Sequence, residues 1–236
     1  MAGEHLRRLA GSCQGLGRSL PEPLQHIRSW LFGALEESGF SDAILRLSLH
    51  WEDRLPSHML VIAREFKTHP EEMYEKGVWL KTAVMRRWDL HAQDPQIKSS
   101  QYVSGVLAAI DALENSAHEL IFMDLNGYVA EGTVSNIFIV KKKRVLTPPL
   151  ASGILRGVTR DVVLALAAQA GLETRETPLT RHDLYSADEC FMTNTSSEVL
   201  PVTKLDDLSI ADGEPGPVTK KLLDIFRNNR KVFCTR

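Results

Sequence analysis

Apolar residues recur at helical spacing near the start of the chain and at strand spacing soon after. Intervals of three and four predict amphipathic helices over 4–14 and 24–37, the second entered through Pro21 and Pro23. "DAILRLSLHW" (42–51), "HMLVIAR" (58–64) and "VWLKTAVM" (78–85) carry the β-branched and aromatic residues of strands, with "THPEEMYEKG" as a loop before the last. Strands that follow one another so directly predict a small, mainly antiparallel sheet with two helices on it. The polar, proline-containing stretch "WDLHAQDPQ" (88–96) then reads as a boundary. The expected organisation is a small domain over 1–88, a linker over 89–97 and a large domain over 98–236.

The second block opens with a helix over about 98–115. Strands at 119–124 and 128–131 are joined by Asn126-Gly127, a strong hairpin signal. Further strands fall at 136–140 and 144–147, a helix at 157–170 ended by Gly171, and short strands near 173–177, 189–193 and 199–204. "DDLSIADG" reads as a turn with a short ladder, and a last helix covers 217–228. With no internal repeat, the fold class is α/β, of the α+β type.

Charge and cysteine usage remove whole classes of partner. A net charge of −2 over 236 residues gives no electrostatic case for nucleic acid or an acidic membrane surface. The basic run Lys141 to Arg144 sits between apolar segments and reads as a solvated hairpin tip. Cys13, Cys190 and Cys234 are odd in number and widely spaced, which argues against a disulfide framework or a zinc site and suits a reducing cytoplasm. No apolar run reaches transmembrane length and no signal-peptide core opens the chain.

Four features of the second block call for one explanation. Lys98, in "IKSSQYVSGVLAAI", stands at the predicted first helical turn, where the helix dipole disfavours its charge and would free the amine as nucleophile or base. Taken alone it also suits a surface lysine at a frayed helix end. In "SGILRGVTRD", Gly157 precedes a helix whose first N–H groups, from Val158 and Thr159, suit a phosphate; ordinary capping is the plainer alternative. "FMTNTSSEVLPV" (191–202) is a hydroxyl-rich turn between strands, able to donate to an anion or simply to face solvent. Glu131, in "VAEGTVSNIFIV", is a carboxylate just ahead of a core strand, costly unless something cationic or hydrogen-bonding meets it.

Together, "EGTVSNIFIV" with an upstream "IKS" and a downstream "GVTRD" resembles the class IV, fold-type IV, pyridoxal-phosphate enzymes, among them branched-chain and D-amino acid aminotransferases and aminodeoxychorismate lyases. The resemblance covers nearly the whole chain and implies a two-domain fold-type IV enzyme. It makes Lys98 the catalytic lysine that forms a Schiff base with pyridoxal 5′-phosphate, and Glu131 the acid that pairs with the pyridine nitrogen. Val158, Thr159 and Thr195 match the phosphate cup, and Arg8 in "EHLRRL" matches an arginine that reaches the phosphate from the other domain. Tyr102 matches a position near the ring hydroxyl; Ser135, Asn136 and Asn194 join the cofactor-binding set. The family implies a homodimer acting on an amino acid and a 2-oxo acid.

The expected function is therefore an aminotransferase for a small amino acid. Glu198 after the turn and the short Lys98–Tyr102 spacing favour an aminotransferase, the spacing being nearer to the D-amino acid branch. Arg86, Arg87 and His91 are candidates for a substrate carboxylate, or a solvated strand end. The helix that holds Arg8 begins within five residues of Met1, so the small domain is expected to be shortened or to start upstream. The alternatives are a lyase in 4-aminobenzoate synthesis and a cofactor-binding relative inactive because of that short N-terminus.

Overall fold

The computed structural model describes residues 1–52 and 55–234; the side chains of 55–57 and 230–234, Cys234 among them, lie outside that description. The chain forms two compact units, residues 1–68 with the segment from Val232, and residues 69–231.

In the first unit, helices α1 (Ala2–Gly15) and α2 (Leu24–Ser38) accompany a hairpin of strands β1 (Ala43–Glu52) and β2 (Leu55–Glu65). The strands pair antiparallel with a register shift between His50 and Trp51. Helix α2 packs on both strands and α1 on α2. Leu6, Cys13 and Ile27 are the buried apolar residues of the two helices.

The second unit is built on a nine-stranded sheet among the described residues. Its first elements are α3 (Glu71–Lys76) and β3 (Val78–Arg86). The stretch expected to be a loop thus holds a short helix. Glu71 and Glu72 occupy its first turn and Lys76 its last, with Lys76 Nζ 2.6 Å from Glu72. Strand β3, expected in the small antiparallel sheet, instead runs parallel to β4 (Glu119–Met123) and to β10 (Glu198–Leu205). The division between units consequently falls at residue 69 rather than at 89–97.

The remaining elements are α4 (Val103–Glu114), β5 (Val129–Gly132), β6 (Asn136–Lys141), β7 (Arg144–Thr147), α5 (Val158–Gln169), β8 (Glu173–Glu176), α6 (Arg181–Tyr185), β9 (Glu189–Asn194), β11 (Leu208–Ser209) and α7 (Pro217–Cys234). The order across the sheet is β5-β4-β3-β10-β9-β6-β7-β8, with β11 on β10. The central strands β6, β9 and β10 are buried almost throughout, as unbroken apolar runs require, and Phe138 stacks on Phe191 at 4.8 Å. Cys190 is buried there, and desolvation raises its thiol far above the usual range.

Both expected hairpins form. Gly127 takes φ +85, and Asp124 Oδ1 accepts from the N–H groups of Asn126 and Tyr128. Lys142 and Lys143 both take positive φ, 52 and 63, in a two-residue turn that matches the strand twist. Two other elements differ from the sequence reading. Helix α6 is an addition, set by a capping box between Thr180 and Asp183. Helix α4 starts at Val103, not at 98, because Ser99 and Ser100 bond the following N–H groups of Gln101 and Tyr102 through a hydroxyl and a carbonyl, competing with the helical ladder. Lys98 is therefore on an exposed segment ahead of the helix, and the dipole argument for it does not hold.

Helix α4 packs through its small residues. Ala108 and Ala112 are buried with Ala83, Leu120, Phe122 and Ile154, while Val103, Val106, Leu107, Ile110 and Leu113 point outward. Among the described residues no helix is long and apolar enough to cross a membrane, and no group of three acidic, histidine or cysteine side chains could hold a metal.

Candidate active site

Glu131 lies at the end of β5 with 6 % of its surface exposed. Three donors meet it. Arg87 Nη2 bonds Oε1; Asn136 Nδ2 (3.2 Å) and the Leu155 N–H (2.9 Å) bond Oε2. Arg87 follows β3 and is held by a bond from Nε to Gly153 O (3.1 Å) and by the face of Phe122. Burial pushes the Glu131 carboxyl up to about 7, against the pull of Arg87, the Leu155 N–H and Lys98; the charge of Glu119 pushes the same way as burial. A group poised near neutrality inside a polar cluster is a candidate for chemistry.

Gln96, two residues before Lys98, is tied to the same loop. Gln96 Nε2 donates to Ile154 O (2.7 Å), and the Arg156 N–H donates to Gln96 Oε1 (3.2 Å). Gln96 and Glu131 thus share the 154–156 loop as a common anchor. Lys98 Nζ donates to Tyr102 Oη at 2.9 Å.

The loop runs into α5. Gly157 is its N-cap and supplies no side-chain cap. A Cβ there would run into Asn136 Oδ1, so the close approach requires glycine. The first N–H groups of the helix have no partner within it. Thr159 Oγ1, in the same turn, is buried and without a hydrogen-bond partner among the described residues. An uncapped helix end with an orphaned hydroxyl fits a phosphate, so the residues present suit pyridoxal 5′-phosphate.

The turn after β9 stands at the same end of the sheet, since Thr193 pairs with Asn136. Asn194 Oδ1 accepts from the Ser196 and Ser197 N–H groups (2.8 and 2.7 Å) and so shapes the turn, leaving Thr195 exposed. Other candidates take different places. The Ser135 hydroxyl donates to Glu119 (3.0 Å), which also holds Thr133 Oγ1 and the Val134 N–H. Glu198 is paired with Arg227 (2.9 Å), a structural contact under the turn. Arg86 and His91 are exposed, and Arg8 lies on α1 in the first unit, its Nη2 3.4 Å from His5 Nδ1.

Sequence reasoning missed the Arg87–Glu131 pair, the Gln96 anchor and Glu119. A pair 44 residues apart leaves no local signal, although an arginine at the exit of an apolar strand is one to test against every buried acid.

Comparison with known proteins places the chain in a family. The model of the amino-transferase class IV family matches residues 2–205. A putative branched-chain-amino-acid aminotransferase of Methanocaldococcus jannaschii is 35 % identical over 237 residues, covering 98 % of this chain and 82 % of its own. The branched-chain-amino-acid aminotransferase of Pseudomonas aeruginosa is 31 % identical, covering 92 % and 74 %. Among solved structures, the T.th. branched-chain amino acid aminotransferase with pyridoxamine 5′-phosphate superposes with a TM-score of 0.91 at 29 % identity, covering 96 % of this chain and 78 % of that one. Neither the lyase nor the inactive relative gains support from these matches. The chain belongs to the class IV aminotransferases and is a pyridoxal 5′-phosphate-dependent transaminase.

Proposed function

We propose that this chain moves the amino group between a branched-chain amino acid and a 2-oxo acid. Support for the substrate class comes from the relatives described above, and support for the chemistry from the buried Glu131, on which the charge of Lys98 acts and which shares an anchoring loop with Gln96, two residues before that lysine. Bound pyridoxal 5′-phosphate supplies an electron sink for the pair left when a substrate Cα gives up its proton. Lys98 Nζ binds the cofactor and moves that proton, with the Tyr102 hydroxyl orienting it. Glu131, fixed by Arg87, Asn136 and Leu155, would pair as an anion with the ring nitrogen of the bound cofactor. Val158, Thr159 and Thr195 hold the phosphate.

We infer a homodimer in the cytoplasm. The outward stripe of α4, with Val103 68 % and Leu113 78 % exposed, is an apolar face of the kind that a second copy covers.

The test is a screen of L- and D-amino acids with 2-oxoglutarate as acceptor. Leucine, isoleucine and valine are the expected donors. Turnover of D-alanine with none of these would overturn the substrate class, and pyruvate release from aminodeoxychorismate alone would overturn transamination. A Lys98→Ala chain should lose all turnover while keeping its melting temperature.

A further inference from the structure

Thr193 shares an unusual property with Thr159. Both hydroxyls are buried and have no hydrogen-bond partner among the described residues. Thr193 is 1 % exposed. It stands on β9 directly opposite Asn136 on β6. Opposed residues of an antiparallel pair put their side chains on one face, with Cβ atoms about 5 Å apart.

That face is the one the open end of α5 covers. Asn136 bonds Glu131 and Leu155 O there, and its Oδ1 meets Gly157 at the helix N-cap. Helix α5 itself packs against β9. On the other side the strand neighbour of Thr193 is Val199, which offers no side-chain acceptor. The Asn194 side-chain oxygen is committed to Ser196 and Ser197. Arg160 Nε is another buried atom without a partner among the described residues, but its guanidinium turns toward Pro148 O and Glu176, on the β7–β8 side.

We propose that Thr193 is a further ligand-binding residue, its hydroxyl donating to an oxygen of the phosphoester held at the open end of α5. The proposal rests on the reading of that end as the cofactor's phosphate site. A valine would fill the same volume without leaving a buried hydroxyl unsatisfied. A hydroxyl in that position gains its bond only when an acceptor arrives.

The experiment uses the full chain without cofactor. Affinities for pyridoxal 5′-phosphate, inorganic phosphate and pyridoxal are titrated, and melting temperatures recorded, for the wild type, Thr193→Val and Thr193→Ser. Thr193→Val should bind both phosphate compounds about tenfold more weakly, as loss of one charge-assisted bond implies. Its cofactor-free melting temperature should equal or exceed that of the wild type, and its pyridoxal affinity should not change. Thr193→Ser should bind like the wild type.

Unchanged phosphate affinity in Thr193→Val overturns the proposal. So does a lowered melting temperature, which would give the hydroxyl an internal partner such as a buried water. Equal losses for pyridoxal would move the hydroxyl to the ring, and a matching loss in Thr193→Ser would assign the effect to the methyl group. A wild type that binds neither phosphate compound overturns the reading of the site itself, and this proposal with it.

Discussion

Two helices of the second unit begin alike and are finished differently. Helix α5 opens as Gly157-Val158-Thr159 and α7 as Gly216-Pro217-Val218-Thr219. Each glycine packs so closely that a Cβ would strike a polar side chain, Asn136 Oδ1 in one case and the Glu189 carboxylate in the other. At α7, Glu189 accepts from the Val218 N–H (2.9 Å), the Thr219 N–H (2.7 Å) and the Thr219 hydroxyl (2.7 Å). The positive end of that helix meets a built-in anion. At α5 the neighbouring side chain is a neutral amide, and the Thr159 hydroxyl has no partner among the described residues. Similar openings are thus finished in opposite ways: the capped one locks the fold, and the open one lacks a built-in anion, as the phosphate site proposed above requires.

The strongest way to break the contrast is to close the open end. Thr159→Asp places a carboxylate in the first turn of α5, much as Glu189 caps α7. Affinity for pyridoxal 5′-phosphate should fall by two decades or more, about 3 kcal/mol, through like-charge repulsion. The cofactor-free protein should melt no lower than the wild type. Undiminished affinity would show that this end does not bind the phosphate.

An effect of similar size separates the acids beside the two ends. Glu131 holds its proton in the fold up to about pH 7, whereas the unfolded chain releases it near 4.5. Between those values the folded state binds more protons, so stability falls as pH rises through the window, by on the order of 3 kcal/mol. Below and above the window this contribution is constant. Glu131→Gln should flatten the slope in denaturant titrations of the cofactor-free protein at about pH 5 and about pH 7.5. An equal slope in the variant would assign it to other groups.

Opening the closed end should have the smallest effect. Glu189→Gln removes the anion from α7 and should lower stability by about 1–2 kcal/mol, the value of a helix cap. Cofactor affinity should stay at the wild-type level. A loss of affinity comparable to that of Thr159→Asp would mean that the two ends are not independent.

What is legible in the sequence is what short stretches decide. Asn126-Gly127 announces a turn through a conformation open to few residue types, and Gly157-Val158-Thr159 a helix start, where the glycine proves to be required by close packing against Asn136. Strand β3 reads as part of the wrong sheet because its partners, β4 and β10, lie far along the chain and parallel pairing leaves no turn signal. Lys98 reads as helical because apolar periodicity does not register the local bonds of Ser99 and Ser100. The charge on Glu131 can be questioned from sequence, but Arg87 can be named as its partner only from the fold.

Helix α4 reverses the usual relation between side-chain size and tolerance to change. Its alanines are the positions without slack: Ala108 is 1 % and Ala112 3 % exposed, pressed between Leu120, Phe122 and Ile154. A leucine at either alanine would lift the helix off the sheet, overpacking at about 1–3 kcal/mol. Leu107 and Leu113, the bulkier residues, point outward and leave the fold of a single copy nearly indifferent to their replacement. Along this helix a hydropathy profile therefore ranks the positions in the inverse order of their importance to folding.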